Sequence, residues 1–159
     1  MKLLAVVVVV ALRLQSIVVQ ADEEVKQKFQ DDIMPISKEC IALHELKEED
    51  IKALKGFEIP PNQEAKCFAG CVYAKLGMIN GNEFEPTQFK ARVREWLQKY
   101  PEKYQKVEAM LDTCKTKVKE ANPNGGDECH LLPSIMECFH SHQEETDSFR
   151  KFLASVYGS

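Results

Sequence analysis

Hydrophobic residues along most of the chain recur at three- and four-residue intervals, the spacing of an α-helix. Residues spaced in this way share one helix face, whereas a half-buried strand would alternate apolar and polar positions. Apolar stripes of this kind fall within 22–38, 62–77, 86–98, 102–121 and 128–140. No segment alternates as a strand does. The pattern therefore predicts an all-α protein, a compact bundle of six to seven short helices.

Two prolines fall inside these helical patterns and affect the predicted helix ends. Pro35 lacks a backbone N–H and interrupts the first pattern, so we expect a separate helix over 36–46. Pro133 allows two interpretations, because proline is tolerated in a first turn but kinks a helix interior. The helix over 128–140 therefore either begins near Leu132 or is kinked.

Glycines mark two predicted chain reversals. The segment 47–55 is predicted to be a short helix with Ile51 and Leu54 buried, ended by Gly56 in a left-handed conformation. The Asn-Gly-Asn run at 80–82 is a turn sequence often found in hairpins. Since no alternating strands flank it, we predict a loop between two helices.

The segment 64–77 contains two of the six cysteines, Cys67 and Cys71, and lacks proline. We predict that it is helical, with Asn62 as its N-cap. Positions i and i+4 on a helix have Cβ atoms about 5–6 Å apart, whereas a disulfide needs about 3.8 Å. Each cysteine is therefore expected to pair with a different segment, which would make this helix the hub of a cross-linked fold.

The first 21 residues have the features of a secretory signal peptide. A short basic start is followed by an almost wholly apolar run over 3–12, and the small residue Ala21 precedes the expected cleavage point. The alternative is a membrane anchor. Arg13 and Gln15 interrupt a run that is already shorter than the ~20 residues a membrane span needs. We therefore expect a signal peptide over 1–21.

The mature chain would then comprise a helical domain over 22–142 and an amphipathic tail over 143–159. Removing Lys2 and Arg13 with the signal leaves 19 basic and 25 acidic residues. This acidic balance without a basic patch argues against nucleic-acid binding. All six cysteines lie in the mature part, and in a secreted chain they imply three disulfides with no thiol left over.

Candidate chemistry is sparse. The chain lacks a His-Glu-x-x-His motif, a Gly-x-Ser-x-Gly motif and an EF-hand loop. His140 and His142 would point to opposite faces of a helix, which makes them a poor zinc pair. We expect no catalytic residues, no metal site and no cofactor, and the histidines are predicted to be surface residues: His44, His130, His140 and His142.

Written out, the cysteine spacing is Cys-x26-Cys-x3-Cys-x42-Cys-x14-Cys-x8-Cys. This spacing resembles the six-cysteine signature of insect odorant-binding proteins, the pheromone-binding and general-odorant-binding family, in which the x3 and x8 intervals are the rigid ones. The run CVYAKLGMI over 71–79 is similar to the family's usual sequence after its third cysteine. The resemblance covers essentially the whole mature chain and implies a helical bundle around an apolar pocket.

The resemblance also implies how the cysteines pair, which the spacing alone would leave open. The family's interlocked pattern would give Cys40–Cys71, Cys67–Cys129 and Cys114–Cys138. Each cross-link contributes about 2–4 kcal/mol in the entropic account. Such a contribution would help a small helical domain to tolerate an apolar cavity.

Apolar stripes on three helices are candidates for the pocket wall or equally for ordinary core: Phe68, Val72 and Leu76; Phe89, Val93 and Trp96; Met110 and Val118. The two roles stay open, because a buried cavity shares its lining with the core. The resemblance adds Met78, Ile79 and Phe139, since ligands of the family contact the region after the third cysteine and the last helix.

The tail 143–159 carries apolar residues at helical spacing. It is predicted either to pack in an outer groove or, by resemblance, to cover the pocket as a lid. In the second case Phe149, Phe152 and Val156 would cover bound ligand. The position of the tail would then depend on pH, because acid neutralises the linker carboxylates and lowers the cost of burying them; these are Glu144, Glu145 and Asp147.

The expected function is that of a secreted carrier, which takes small hydrophobic odorant- or pheromone-like molecules through sensillum lymph or another secreted fluid. Candidate partners besides the ligand are an olfactory receptor and a second copy of the chain. No nucleic acid is expected, nor membrane insertion after signal cleavage. The alternatives are a non-olfactory carrier on the same fold, which tissue expression would distinguish, and an interaction protein that docks through the C-terminal helix.

Overall fold

The computed structural model describes residues 23–56, 58–143 and 146. Within them the chain forms six helices and one two-stranded antiparallel sheet, which confirms the all-α prediction with little strand. In order these are α1 (23–41), α2 (Glu48–Lys55), α3 (Gln63–Lys75), β1 (Ile79–Asn80), β2 (Glu83–Phe84), α4 (Thr87–Trp96), α5 (Pro101–Ala121) and α6 (Glu128–Ser141). The predicted signal peptide, 1–21, lies outside the described residues.

One apolar cluster forms the centre of the bundle, and five of the six helices contribute to it. The exception is α2, which places Leu54 against a second, smaller cluster of Ala69, Leu132 and Met136. Helix α3 contributes the partly buried Val72, Tyr73 and Ala74. The buried members of the central cluster come from α1, from the turn after α3 and the hairpin, and from α4 to α6: Phe29, Ile33, Leu76, Met78, Ile79, Phe84, Phe89, Val93, Trp96, Tyr104, Met110, Leu111, Cys114, Val118, Leu131, Ile135, Cys138 and Phe139.

Helices α3 and α6 approach each other so closely that their backbones nearly touch at Gly70. A Cβ atom placed on Gly70 would lie 2.5 Å from the carbonyl oxygen of Glu128 and 2.7 Å from its carbonyl carbon. The disulfide between Cys67 and Cys129 joins the same two helices, with 4.3 Å between their Cα atoms. Glycine is needed at position 70 because the partner backbone occupies the space of a side chain.

Two further disulfides tie neighbouring helices to this pair. Cys40–Cys71 joins α1 to α3 with 5.9 Å between Cα atoms, and Cys114–Cys138 joins α5 to α6 with 5.7 Å. The pairing implied by the resemblance is therefore confirmed, as is the expectation that Cys67 and Cys71 do not pair with each other. Helix α3 is covalently linked to both α1 and α6, so it is the hub.

The N-cap of α3 is linked to the N-terminus of α2 through a buried carboxylate. Asn62 caps α3 as predicted, because its side-chain oxygen accepts a hydrogen bond from Ala65 N at 2.8 Å. Its side-chain nitrogen donates to Oδ1 of Asp50, which is fully buried. The other oxygen of Asp50 accepts from Lys47 N at 2.9 Å. This carboxylate therefore satisfies donors at the starts of both helices.

The prediction that Pro35 separates two helices is wrong. Helix α1 continues through Pro35 and ends at residue 41, so the expected helix over 36–46 is not formed. A proline in a helix interior removes one hydrogen bond and crowds the carbonyl four residues back, at a cost of about 3 kcal/mol. On either side of it, Phe29 and Ile33 are buried in the core and Cys40 is disulfide-bonded. These tertiary contacts outweigh the local preference for a break.

The prediction of a plain loop at 80–82 is also wrong, because the chain forms a short hairpin there. Ile79 pairs with Phe84 and Asn80 with Glu83, and Gly81 takes the left-handed conformation with φ 62°. Each strand is only two residues long. A two-residue strand cannot display alternation, so the Asn-Gly signal was the informative one.

Helix α2 differs from the sequence prediction at two positions. Ile51 is 43 % exposed, because the fully buried position on α2 is taken by Asp50. Gly56 is right-handed (φ −75°) and continues the hydrogen-bond ladder of the helix, because its N–H donates to the Lys52 carbonyl at 3.0 Å.

The start of α6 decides between the two interpretations of Pro133. Helix α6 begins at Glu128, so Pro133 lies in its interior.

Replacement of Gly70 by alanine tests the close approach of α3 and α6. Gly70→Ala should lower the free energy of unfolding by about 2 kcal/mol. Overpacking costs about 1–3 kcal/mol, and contact with backbone places this case at the upper end. That cost exceeds the gain of about 1 kcal/mol from alanine's higher helix propensity. Urea unfolding under non-reducing conditions gives the value.

Gly56→Ala is the matched control. Its backbone is right-handed, and a Cβ atom there would make ordinary contacts of 3.4 and 3.5 Å. We expect it to be neutral or slightly stabilising. If Gly70→Ala were as stable as Gly56→Ala, the helices would not depend on the missing side chain.

Candidate ligand-binding site

Most of the predicted lining residues converge on the central cluster. Of the eleven that the structure describes, nine are buried members of that cluster and Val72 packs against it while partly buried. Phe68 is partly buried and is not among the members of either cluster. Three further predicted residues lie outside the described part of the chain: Phe149, Phe152 and Val156.

A turn after α3 brings the region behind the third cysteine into this cluster. Val72 and Leu76 lie one helical turn apart, and Gly77 then reverses the chain with φ 84°. A Cβ atom on Gly77 would lie 2.5 Å from the Cβ of Gln88, so the turn also abuts α4. As a result Met78 is buried beside Leu76 instead of continuing along the helix.

Trp96 connects α1 with α4 at one end of the cluster. Its ring packs edge-on against Phe29 at 5.1 Å and against Phe89 at 5.8 Å between ring centroids. Its indole N–H donates to Oδ2 of Asp32 at 2.8 Å, and Arg92 lies 3.8 Å from the other carboxylate oxygen. The tryptophan is therefore fixed on both its apolar and its polar side.

Phe139 lies at the other end, where α3, α6 and the hairpin meet. The centroids of Tyr73 and Phe84 each lie 6.2 Å from that of Phe139. Tyr73 also packs against both apolar clusters. It was not among the predicted lining residues, because it lies one position beyond the stripe of Val72 and carries a polar tip. An amphipathic residue beside a predicted wall was the available signal.

The two tyrosines that pack at this core have different hydroxyl environments. The Tyr104 hydroxyl accepts from Nη2 of Arg94 at 2.9 Å and donates to Oε1 of Glu108 at 2.7 Å. Tyr73 is partly buried, and its side chain packs against both apolar clusters. Burial alone raises the pKa of Tyr73 well above its usual value of 10.0, so this hydroxyl stays protonated at any physiological pH.

Charged side chains lie at the rim of the cluster, where they cross-link its elements. Lys115 forms an ion pair with Glu85. This contact lowers the pKa of the Glu85 carboxyl and raises the pKa of Lys115. At the start of α1 the pKa of Glu24 is lowered, mainly by its contact with Lys99. These two ion pairs therefore link elements of the bundle through partly exposed side chains.

A family model of the PBP/GOBP family matches residues 22–142. The chain belongs to this family. The matched range holds all six cysteines, and with the three disulfides it confirms the resemblance to insect odorant-binding proteins. No curated protein and no solved structure matches the chain. PBP/GOBP proteins are a family of binding proteins and not of enzymes.

One group of potential metal ligands in this PBP/GOBP protein has a simpler explanation. The sulfurs of Cys114 and Cys138 and a ring nitrogen of His142 lie within 4.8 Å of one another. The two sulfurs form a disulfide and are not the thiolates that bind metals. Nδ1 of His142 lies 3.0 Å from the Cys138 carbonyl oxygen, which is the contact of a helix end.

An open depression of about 480 Å³ on α1 is distinct from the predicted site. Its described lining consists of Gln27, Gln30, Asp31, Met34 and Pro35. None of these residues belongs to the predicted ligand set, and three of them are polar.

Within the described residues, none of the helices combines the length and apolar content that crossing a membrane would need.

The raised pKa of Tyr73 leads to a prediction about alkaline stability. The unfolded chain releases the Tyr73 proton near pH 10.0, whereas the folded protein holds it. Stability from this source is complete below pH 10 and is lost as the pH rises. Above about pH 10 the free energy of unfolding should therefore fall more steeply for wild type than for Tyr73→Phe, by up to about 1.4 kcal/mol per pH unit.

Urea unfolding of both proteins at several values around pH 8 and around pH 11 measures how their free energies of unfolding change with pH. At the lower pH the two proteins should share one pH dependence, which serves as the internal control. Equal slopes at the higher pH would show that Tyr73 ionises freely in the folded protein.

Proposed function

We propose that this protein is a secreted carrier that binds small hydrophobic, odorant- or pheromone-like molecules and transports them through an aqueous secretion. The observation that carries the proposal is the convergence of Val72 and nine buried apolar residues of the predicted set on one cluster. Membership of a family of small-ligand carriers supports it. The disulfides, which are typical of extracellular proteins, support secretion.

The energetics fit a reversible carrier. A ligand of ~10–15 methylene-sized groups gains about 0.8 kcal/mol per group when it leaves water. Association costs an estimated 4–15 kcal/mol. At the favourable end of both ranges the surplus is about 8 kcal/mol, which corresponds to an affinity around the micromolar range, tight enough for loading and weak enough for release. The lid role of the tail remains a prediction, because Phe149, Phe152 and Val156 lie outside the described residues.

Narrowing the proposed site should weaken binding. Val72→Phe adds a ring to a side chain at the edge of the cluster, so it should reduce the affinity for a fluorescent apolar probe and for competing long-chain alcohols about tenfold or more. The protein would be expressed from the full coding sequence in a secretory host. The oxidised secreted product is then titrated, and mass spectrometry of its N-terminus tests the cleavage after Ala21.

Val107→Phe is the matched control. Val107 is also a partly buried valine that packs against the same cluster, but it is outside the proposed lining. We expect it to bind the probe as wild type does, with a comparable thermal midpoint. Absence of saturable binding by wild-type protein with three intact disulfides would refute the carrier function.

A further inference from the structure

Two of the chain's five asparagines directly precede a glycine, and the fold places these two pairs in different surroundings. Asn80 and Gly81 lie at the exposed tip of the hairpin, whereas Asn124 and Gly125 lie in the connection between α5 and α6. Asparagine is among the thermally labile residues. A glycine after it favours the loss of ammonia, because no side chain hinders the approach of the glycine's backbone nitrogen to the asparagine side chain.

The tip of the hairpin leaves this reaction unobstructed. The side chain of Asn80 is exposed, and in the part of the chain that the structure describes the Gly81 N–H donates no hydrogen bond. A Cβ atom placed on Gly81 would meet no atom within 4 Å. The peptide that joins Asn80 to Gly81 can therefore turn toward the Asn80 side chain without displacing a neighbour.

The second Asn-Gly pair is held by contacts that oppose the same reaction. The Gly125 N–H donates to the Asn122 carbonyl at 2.9 Å, so the nitrogen that would attack is engaged. A Cβ atom on Gly125 would lie 2.3 Å from the carbonyl oxygen of Asn82, and that oxygen accepts a bond from Gly126 N at 2.9 Å. Reaction at Asn124 therefore requires local opening of this contact.

We propose that Asn80 is a site of spontaneous modification, at which the folded protein is converted with age to aspartate and isoaspartate. The Gly81 nitrogen gives its proton to hydroxide and attacks the side-chain carbonyl carbon of Asn80. The new bond closes a cyclic imide, and the side-chain nitrogen takes a proton from water and leaves as ammonia. Water then opens the imide at either carbonyl. One opening gives aspartate, and the other gives isoaspartate, in which the main chain runs through the side-chain carbon.

The two products change the hairpin in different ways. Aspartate places a negative charge opposite Glu83, with which Asn80 pairs in the sheet, and like charges at paired positions are destabilising. Isoaspartate also lengthens the main chain by one carbon, which disturbs the register of that pair. The adjacent pair, Ile79 and Phe84, is buried in the central cluster. The inference needs only the folded chain and does not depend on the carrier function.

The test follows both Asn-Gly pairs in one sample. The oxidised protein is incubated in mildly alkaline buffer made with heavy-oxygen water, so that residues converted during the incubation carry the label. It is then digested at acid pH, where the reaction is slow, and the peptides of both products are separated and identified by tandem mass spectrometry. Asn80 should react about tenfold faster than Asn124, because the second site must first break a hydrogen bond and a packing contact. Isoaspartate should be present among its products.

Two controls isolate the contribution of the fold. In reduced protein unfolded in urea, both pairs should react at similar rates, since neither glycine keeps its contacts. Asn80→Gln is the matched variant, because it keeps the amide but must close a larger and less favourable ring. Its hairpin should stay unmodified under the same conditions, while Asn124 reacts at the wild-type rate.

Three outcomes would overturn the inference. Equal rates at Asn80 and Asn124 in the folded protein would mean that the hairpin protects its tip as well as the second loop is protected. Aspartate without isoaspartate at Asn80 would rule out the cyclic imide. A faster reaction at Asn80 that persists unchanged in the unfolded protein would show that neighbours in sequence set the difference, and not the fold.

Discussion

The contact between α3 and α6 is the constraint on which the rest of the structure depends. It requires a residue without a side chain at Gly70, because the Glu128 carbonyl oxygen would lie 2.5 Å from a Cβ atom there. The Cys67–Cys129 disulfide holds the same two helices together. Since α3 also carries the link to α1, and α6 the link to α5, the position of every large helix except α4 is tied to this contact.

Disulfides between the helices of a bundle reduce the stabilisation that its apolar interior must supply. The three disulfides span 31, 62 and 24 residues, and the loop-entropy account assigns each about 3–4 kcal/mol, with less for overlapping loops. Rim ion pairs add little, because exposed pairs contribute at most about 1 kcal/mol. The interior is thus relieved of part of the demand for dense packing, and a binding protein can use that freedom.

The sequence determined the features that depend on local periodicity. The stripe of Val72 and Leu76, and that of Phe89, Val93 and Trp96, predicted cluster residues correctly because burial of one helix face repeats every three or four positions. Helical geometry also excluded a bond between Cys67 and Cys71. The actual partners of these cysteines followed only from the resemblance to a family, since spacing carries no information about which distant segments meet.

The features that were predicted wrongly from the sequence depend on contacts between distant segments. Pro35 stays helical because core residues and a disulfide hold the flanking turns. The hairpin at 80–82 is supported by a bond from Gly126 N to the Asn82 carbonyl at 2.9 Å, a partner more than forty positions away. Phe68 continues the stripe of Val72 in sequence, yet it is only partly buried and belongs to neither cluster of the described residues.

Tyr73 shows why a residue at the edge of a buried helix face is harder to predict than a core residue. Periodicity reports which face of a helix is buried, and a tyrosine at the edge of that face is compatible with both a surface and an interior position. Only the packing of α6 against α3 reveals that its ring lies on Phe139. Contacts between helices that are far apart in sequence therefore decide which residues at the edge of a buried face pack against the interior.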